Sequence, residues 1–127
     1  DWAHAATTGD WAHAATTGND AHAATTGDWA HAATTGDWAH AATTGNDAHA
    51  ATTGDWAHAA TTGENCIVSA LGMNGRIKLG SNGCGDLHWH DGKRFRTVTI
   101  YAGEDGIEAG AWYQLDEAGH AVAVGDE

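Results

Sequence analysis

Asp1-Trp2-Ala3-His4-Ala5-Ala6-Thr7-Thr8-Gly9 opens the chain and recurs seven times without a gap through residue 63. Two of the seven units begin differently: Asn19-Asp20 and Asn46-Asp47 stand where the others have Asp-Trp. The nonapeptide fills half of the 127 residues, so its conformation decides the fold. A helix fails on content. Each unit carries a Gly and a Thr-Thr pair, costing about 2 kcal/mol per repeat relative to Ala. A helix would also have no bulky apolar stripe to bury. A strand of six or seven residues closed by a Gly-Asp or Gly-Asn turn fits better. Units this short bury nothing alone and must stack into a solenoid.

Strand alternation assigns Trp2, His4, Ala6 and Thr8 to one face and Ala3, Ala5 and Thr7 to the other. Asp20 and Asp47 decide which face is outward. Replacing Trp by Asp inside a packed core would leave both a cavity and a bare charge. The Trp face therefore points to solvent or a partner, and the core is a thin layer of Ala and Thr. Two units per coil, 18 residues, is the preferred winding. The exchange at every third unit also suits a 27-residue triangular coil, or three chains each forming one side. Stacked coils would align Trp, His and Asp/Asn in columns about 4.8 Å apart.

Beyond residue 63 the repeat grows heavier rather than stopping. Glu64-Asn65-Cys66-Ile67-Val68-Ser69-Ala70-Leu71-Gly72 keeps the length with larger apolar residues, and residues 73–80 form a shorter echo. Short alternating segments follow: Leu87–His90, Phe95–Tyr101, Ala111–Leu115 and Ala121–Val124, separated by Gly- and Asp-rich turns. The expected architecture is an all-β solenoid over 1–84 with a small antiparallel β cap over 85–127, which guards the last coil against end-to-end pairing.

The repeats, with Gly80-Ser81-Asn82-Gly83-Cys84 and Gly106-Ile107-Glu108-Ala109-Gly110-Ala111-Trp112-Tyr113-Gln114-Leu115, resemble a family of uncharacterised bacterial and phage proteins. In that family, Ala-Ala-Thr-Thr-Gly arrays run into a Gly-x-x-Gly-Cys step and a terminal domain with a Trp-Tyr-x-Leu strand. This chain departs from the pattern at Ala109, where Pro is usual, and at Gly85, where a bulky aromatic usually follows the Cys. The resemblance implies a β-solenoid and no known activity. An extracellular surface or a virus particle is the favoured location.

Charge narrows the function further. The repeats hold seven Asp and no Lys or Arg, the tail holds ten acids and five bases, and the net charge is −12. Direct binding to a nucleic-acid backbone is disfavoured, because each phosphate contact needs a cation. An acidic rod could instead imitate nucleic acid toward a DNA-binding protein. No apolar run is long enough for a membrane span. The chain lacks an initial Met and opens in register with its repeat, which points to a fragment or processed product. Cys66 and Cys84 are too few for a disulfide framework, and their pairing stays open.

No Ser-His-Asp constellation, phosphate-cradling loop or paired-carboxylate cleft stands out, so no catalytic residue and no cofactor are assigned. His88 and His90 share a strand face and Cys84 lies four residues before, yet a third and a fourth ligand are not evident, and no metal site is assigned. Calcium rolls need more Gly and an unbroken Asp column. Ice binding needs a denser Thr lattice. Ten His against the −12 suggest association near pH 5 to 6, around the imidazole pKa of about 6.5. The expected function is a non-enzymatic structural or adhesive rod. Its contact columns are Trp2, Trp11, Trp29, Trp38 and Trp56 with His4, His13, His31, His40 and His58, used for homo-oligomerisation or for a glycan or protein surface.

Overall fold

The computed structural model describes residues 3–124, and every regular element among them is a strand. Seven short strands come from the repeats: β1 (His4–Thr8), β2 (His13–Thr17), β3 (His22–Thr26), β4 (His31–Thr35), β5 (His40–Thr43), β6 (His49–Thr52) and β7 (His58–Thr61). The heavier units supply β8 (Ile67–Ala70) and β9 (Arg76–Lys78). Longer elements follow as β10 (Cys84–His90), β11 (Phe95–Tyr101), β12 (Trp112–Leu115) and β13 (Ala121–Val124).

Odd and even strands separate into two parallel ladders. His4 pairs with His22 and His13 with His31, so each coil takes 18 residues and two nonapeptides. One chain supplies both sides, which excludes the triangular coil and the three-chain arrangement. The odd sheet runs β1-β3-β5-β7-β9-β12-β13, and the even sheet runs β11-β10-β8-β6-β4-β2. The eight-residue unit at 73–80 leaves its mark as a one-residue contraction, since Ile67 pairs with Cys84. Parallel pairing ends at Leu87, within β10, and the expected boundary at 84/85 falls inside the same strand. Antiparallel strands then extend both sheets: β11 lies on β10, and β12 and β13 continue from β9.

The alternation within each unit follows the pleat. In β2 and its copies the His, the second Ala and the second Thr are outward, while Ala14, Thr16 and their equivalents are buried. The Ala before each His, Ala21 through Ala57, is also fully buried. Invariance of the closing Gly has a steric cause. A Cβ on Gly45 would collide with the carbonyl oxygen of Gly27 one coil below, and the same holds along the column. Backbones therefore stack there with no room for a side chain.

Strand length is a correction. The repeat strands hold four or five residues rather than six or seven, and they begin at His. The Trp does not share the strand face with His. It occupies the third residue of the turn that precedes the strand, closed by the Ala12 N–H donating to the Gly9 carbonyl at 3.3 Å. The positive φ there, 67° at Trp11, breaks the pleat and swings the indole to the corner of the cross-section.

Candidate functional site: two aromatic edges

Each corner turn of the repeats is built from an Asx residue followed by the positive-φ residue. The Asx residue ties coils together through its side chain. Oδ1 of Asp10 accepts from the Asp28 N–H at 3.1 Å, and Asn19, Asp28, Asp37, Asn46 and Asp55 repeat this contact upward at 2.8–3.1 Å. Asp and Asn both present that oxygen, so either residue serves. Asp1 and Trp2 lie outside the described residues.

Every repeat turn carries one carboxylate, never two: Asp-Trp in five units and Asn-Asp in the other two. Where the corner residue becomes Asp20 or Asp47, the ladder residue becomes the neutral Asn19 or Asn46. Stacked acids about 4.8 Å apart already repel one another, and a second acid per turn would double that column of charge.

The corner residue itself adopts the left-handed conformation in every coil: Trp11, Asp20, Trp29, Trp38, Asp47, Trp56, Asn65, Asn74 and Asn82, with φ between 55° and 67°. Asp and Asn enter this region readily, whereas a bulky side chain pays about 1–2 kcal/mol. Its N–H is used, donating to the carbonyl one coil above, as from Trp29 to Asn46 at 3.0 Å. The turn thus suits Asn and Asp, and four of its described copies carry Trp nonetheless.

Two-unit coils sort these corners onto two edges. Trp11 and Trp29 stack on one edge with ring centroids 5.3 Å apart, and Asp47 follows them. Trp38 and Trp56 stack on the opposite edge at 5.4 Å, and Asp20 precedes them. The four indoles are 67, 47, 54 and 39 % exposed in chain order. Beside them run the His ladders: His4, His22, His40 and His58 on the odd sheet, His13, His31 and His49 on the even sheet, at 4.6–4.8 Å. Such parallel stacking keeps the ring nitrogens of neighbours from converging on one ion.

The ladders titrate unevenly. Burial, then the neighbouring His40, then the Arg76 charge push His58 down to about 4. His40 is lowered by burial and by His22, against a smaller opposing pull from Asp20. His31 is lowered by burial and by His49 and His13 on either side. His58 stays neutral at pH 5 to 6, and His31 and His40 are shifted in the same direction, which weakens the case for association in that range.

Two indoles and two imidazoles of the odd edge, Trp38, Trp56, His40 and His58, line a groove of about 410 Å³ together with Arg76. Arg76 stands one coil above His58 on β9, and its Nε donates to Gln114 Oε1 on β12 at 3.0 Å. The ladder ends against Trp112, 5.3 Å from His58, whose ring has the Lys78 Nζ 5.5 Å from its centroid. Sequence reading missed Arg76, Lys78, Trp112 and Gln114. The available signal was the 18-residue step from His58 to the chain's first cation.

The other expected chemistry does not assemble. His88 Nδ1 lies 2.9 Å from the Ala70 carbonyl, and His90 Nδ1 accepts from the Gly92 N–H. Cys66 and Cys84 are both free thiols, with burial raising each above the ordinary value. Among the described residues no three metal-capable side chains gather. Among the described residues no helix is long and apolar enough to cross a membrane. No family model, curated protein or solved structure matches this chain, so its function is read from these edges alone.

Proposed function

We propose that the protein is a non-enzymatic structural or adhesive rod of a bacterial surface or phage particle, making its contacts through the two tryptophan edges. One observation carries this reading: Trp occupies corners whose backbone favours Asn or Asp, and does so facing solvent. Local strain retained at an exposed aromatic is costly for the fold, and it is explained if the aromatic serves a partner. The solenoid supplies the rest by holding each indole pair on a ladder of backbone hydrogen bonds. Four carboxylates of the repeat, Asp10, Asp28, Asp37 and Asp55, are engaged in the coil-to-coil ladder through Oδ1, which speaks for a structural acid column over an imitation of nucleic acid.

The test replaces Trp11, Trp29, Trp38 and Trp56 together by Asn, the residue that Asn65 and Asn74 already show in the same conformation. The expected outcome is a folded chain by far-UV circular dichroism that has lost self-association in light scattering and retention on glycan-coated surfaces. If the folded variant keeps both behaviours, the edges are not contact surfaces.

A further inference from the structure

The two edges differ in one respect that selects a ligand. Both present a stacked Trp pair beside stacked His. On the odd edge the ladder runs from His58 to Arg76, whereas on the even edge His49 is followed by Ile67. Arg76 is the first cation of the sequence, and among the described residues it forms no ion pair. Gln114 holds its Nε, which orients the guanidinium plane and leaves its terminal N–H groups for another acceptor. Burial keeps His58 neutral, so the positive charge of the groove belongs to Arg76.

A sugar ring with an apolar C–H face suits an aromatic lining of indole and imidazole, and a carboxylate suits a planar, oriented guanidinium. The groove volume of about 410 Å³ is that of a small-molecule site. Long polyanions are disfavoured by the net charge of −12 and by the acid column beside the groove. A single acid on a single ring meets the local cation with a much smaller penalty, since repulsion grows with the charge of the ligand. We infer that the groove of Trp38, Trp56, His40 and His58 binds the acidic terminal sugar of a glycan, the pyranose lying on the aromatic walls and its carboxylate on Arg76. This rests on the Trp edges being contact surfaces and adds the ligand class for one of them.

Methyl glucuronide and methyl glucoside differ only in that carboxylate, and titrating each into the full chain while following Trp fluorescence tests the assignment. The glucuronide should bind at least about tenfold more tightly, the effect of one charge-assisted contact. Arg76→Gln should reduce the glucuronide to the glucoside's affinity and leave the glucoside unchanged. Trp38→Asn with Trp56→Asn should lose both sugars, while Trp11→Asn with Trp29→Asn should alter neither. Equal binding of the two sugars, a preference that survives Arg76→Gln, or no response to either sugar would overturn the inference. So would tighter binding of single-stranded oligo(dT) at physiological salt. The Arg76 arm judges the acid site alone, whereas the fourfold Trp variant judges the edges as contact surfaces.

Discussion

The repeat coils and the capping coils share one cross-section and fill it by different means. In the repeats the inward columns are Ala and Thr: Ala23, Ala41 and Ala59 on one sheet, Thr34 and Thr52 on the other. The same columns enlarge toward the cap, where Ala59 leads to Ile77 and Ala50 to Val68. Leu79, Leu87, Ile100 and Tyr113 complete that apolar cluster. Enlargement on one sheet is matched by reduction on the other. A Cβ on Gly85 would lie 2.5 Å from Ile77 Cδ1 and 3.0 Å from Leu79 Cδ2. Gly85 therefore has a steric reason: the space a side chain would take is filled by Ile77 and Leu79. Repeats hold by backbone stacking and side-chain ladders, and the cap holds by apolar volume. That contrast locates the stability of the rod in two different terms.

Steric change in the stacked column should show the largest effect. Gly45→Ala is expected to destabilise by about 3 kcal/mol or more, because neighbouring coils must separate and lose ladder bonds. Urea unfolding measures it; a loss below that of an exposed substitution would dissolve the stacking argument. Emptying the cap comes next. Ile77→Ala should cost about 2–5 kcal/mol, whereas Ala59→Gly one coil below should cost only about 1 kcal/mol. Similar losses at both positions would erase the distinction between the regions.

Acidification acts on the repeat half. His31, His40 and His58 bind protons less readily folded than at the ordinary imidazole value of 6.5. Below that value the unfolded chain takes up protons that the folded chain refuses. Stability is therefore full above about pH 6.5 and falls as the pH drops toward about 4, where His58 finally charges. Melting temperatures at pH 7.5, 6 and 4.5 should decline in that order, and His58→Gln should flatten the decline.

Seven interior hydroxyls, from Thr7 to Thr61, have no hydrogen-bond partner among the described residues. Thr34→Val removes one at constant shape and should raise stability by about 1 kcal/mol in urea unfolding. A destabilised variant would mean that the hydroxyl is satisfied in solution. The smallest change is expected at the edges. Trp38→Asn relieves about 1–2 kcal/mol of left-handed strain and loses about 0.5–1.5 kcal/mol of stacking, so the net stays within about 1.5 kcal/mol of zero. A loss beyond about 2 kcal/mol would make Trp38 a structural residue and remove the main support for the contact reading.

Much of the fold was legible in the nonapeptide. One Gly per unit, a Thr-Thr pair and the Asp20 and Asp47 exchanges gave the strand, the solenoid and the outward Trp. The strand start was misread because Trp is a strand former by side-chain preference, while its backbone here follows the corner. Asp20, Asp47, Asn65 and Asn74 marked that corner, since a residue type at home at positive φ holds the place each time. The candidate site was half legible. The Trp and His columns followed from the repeat, but Arg76 and Gln114 meet only through register between strands 38 residues apart.

Sequence alone therefore determined what repeats: alternation, a Gly that closes each unit in a turn, and one carboxylate per turn. These are local properties, set by pleat, turn and charge within nine residues. Tertiary structure decided the number of units in a coil, the sorting of Trp into two offset pairs, and the cation that distinguishes one edge from the other. A three-unit sequence pattern wound on a two-unit coil leaves Trp11 and Trp29 on one edge and Trp38 and Trp56 on the other. Only the winding carries that information, because register joins residues 18 apart that local chemistry never compares.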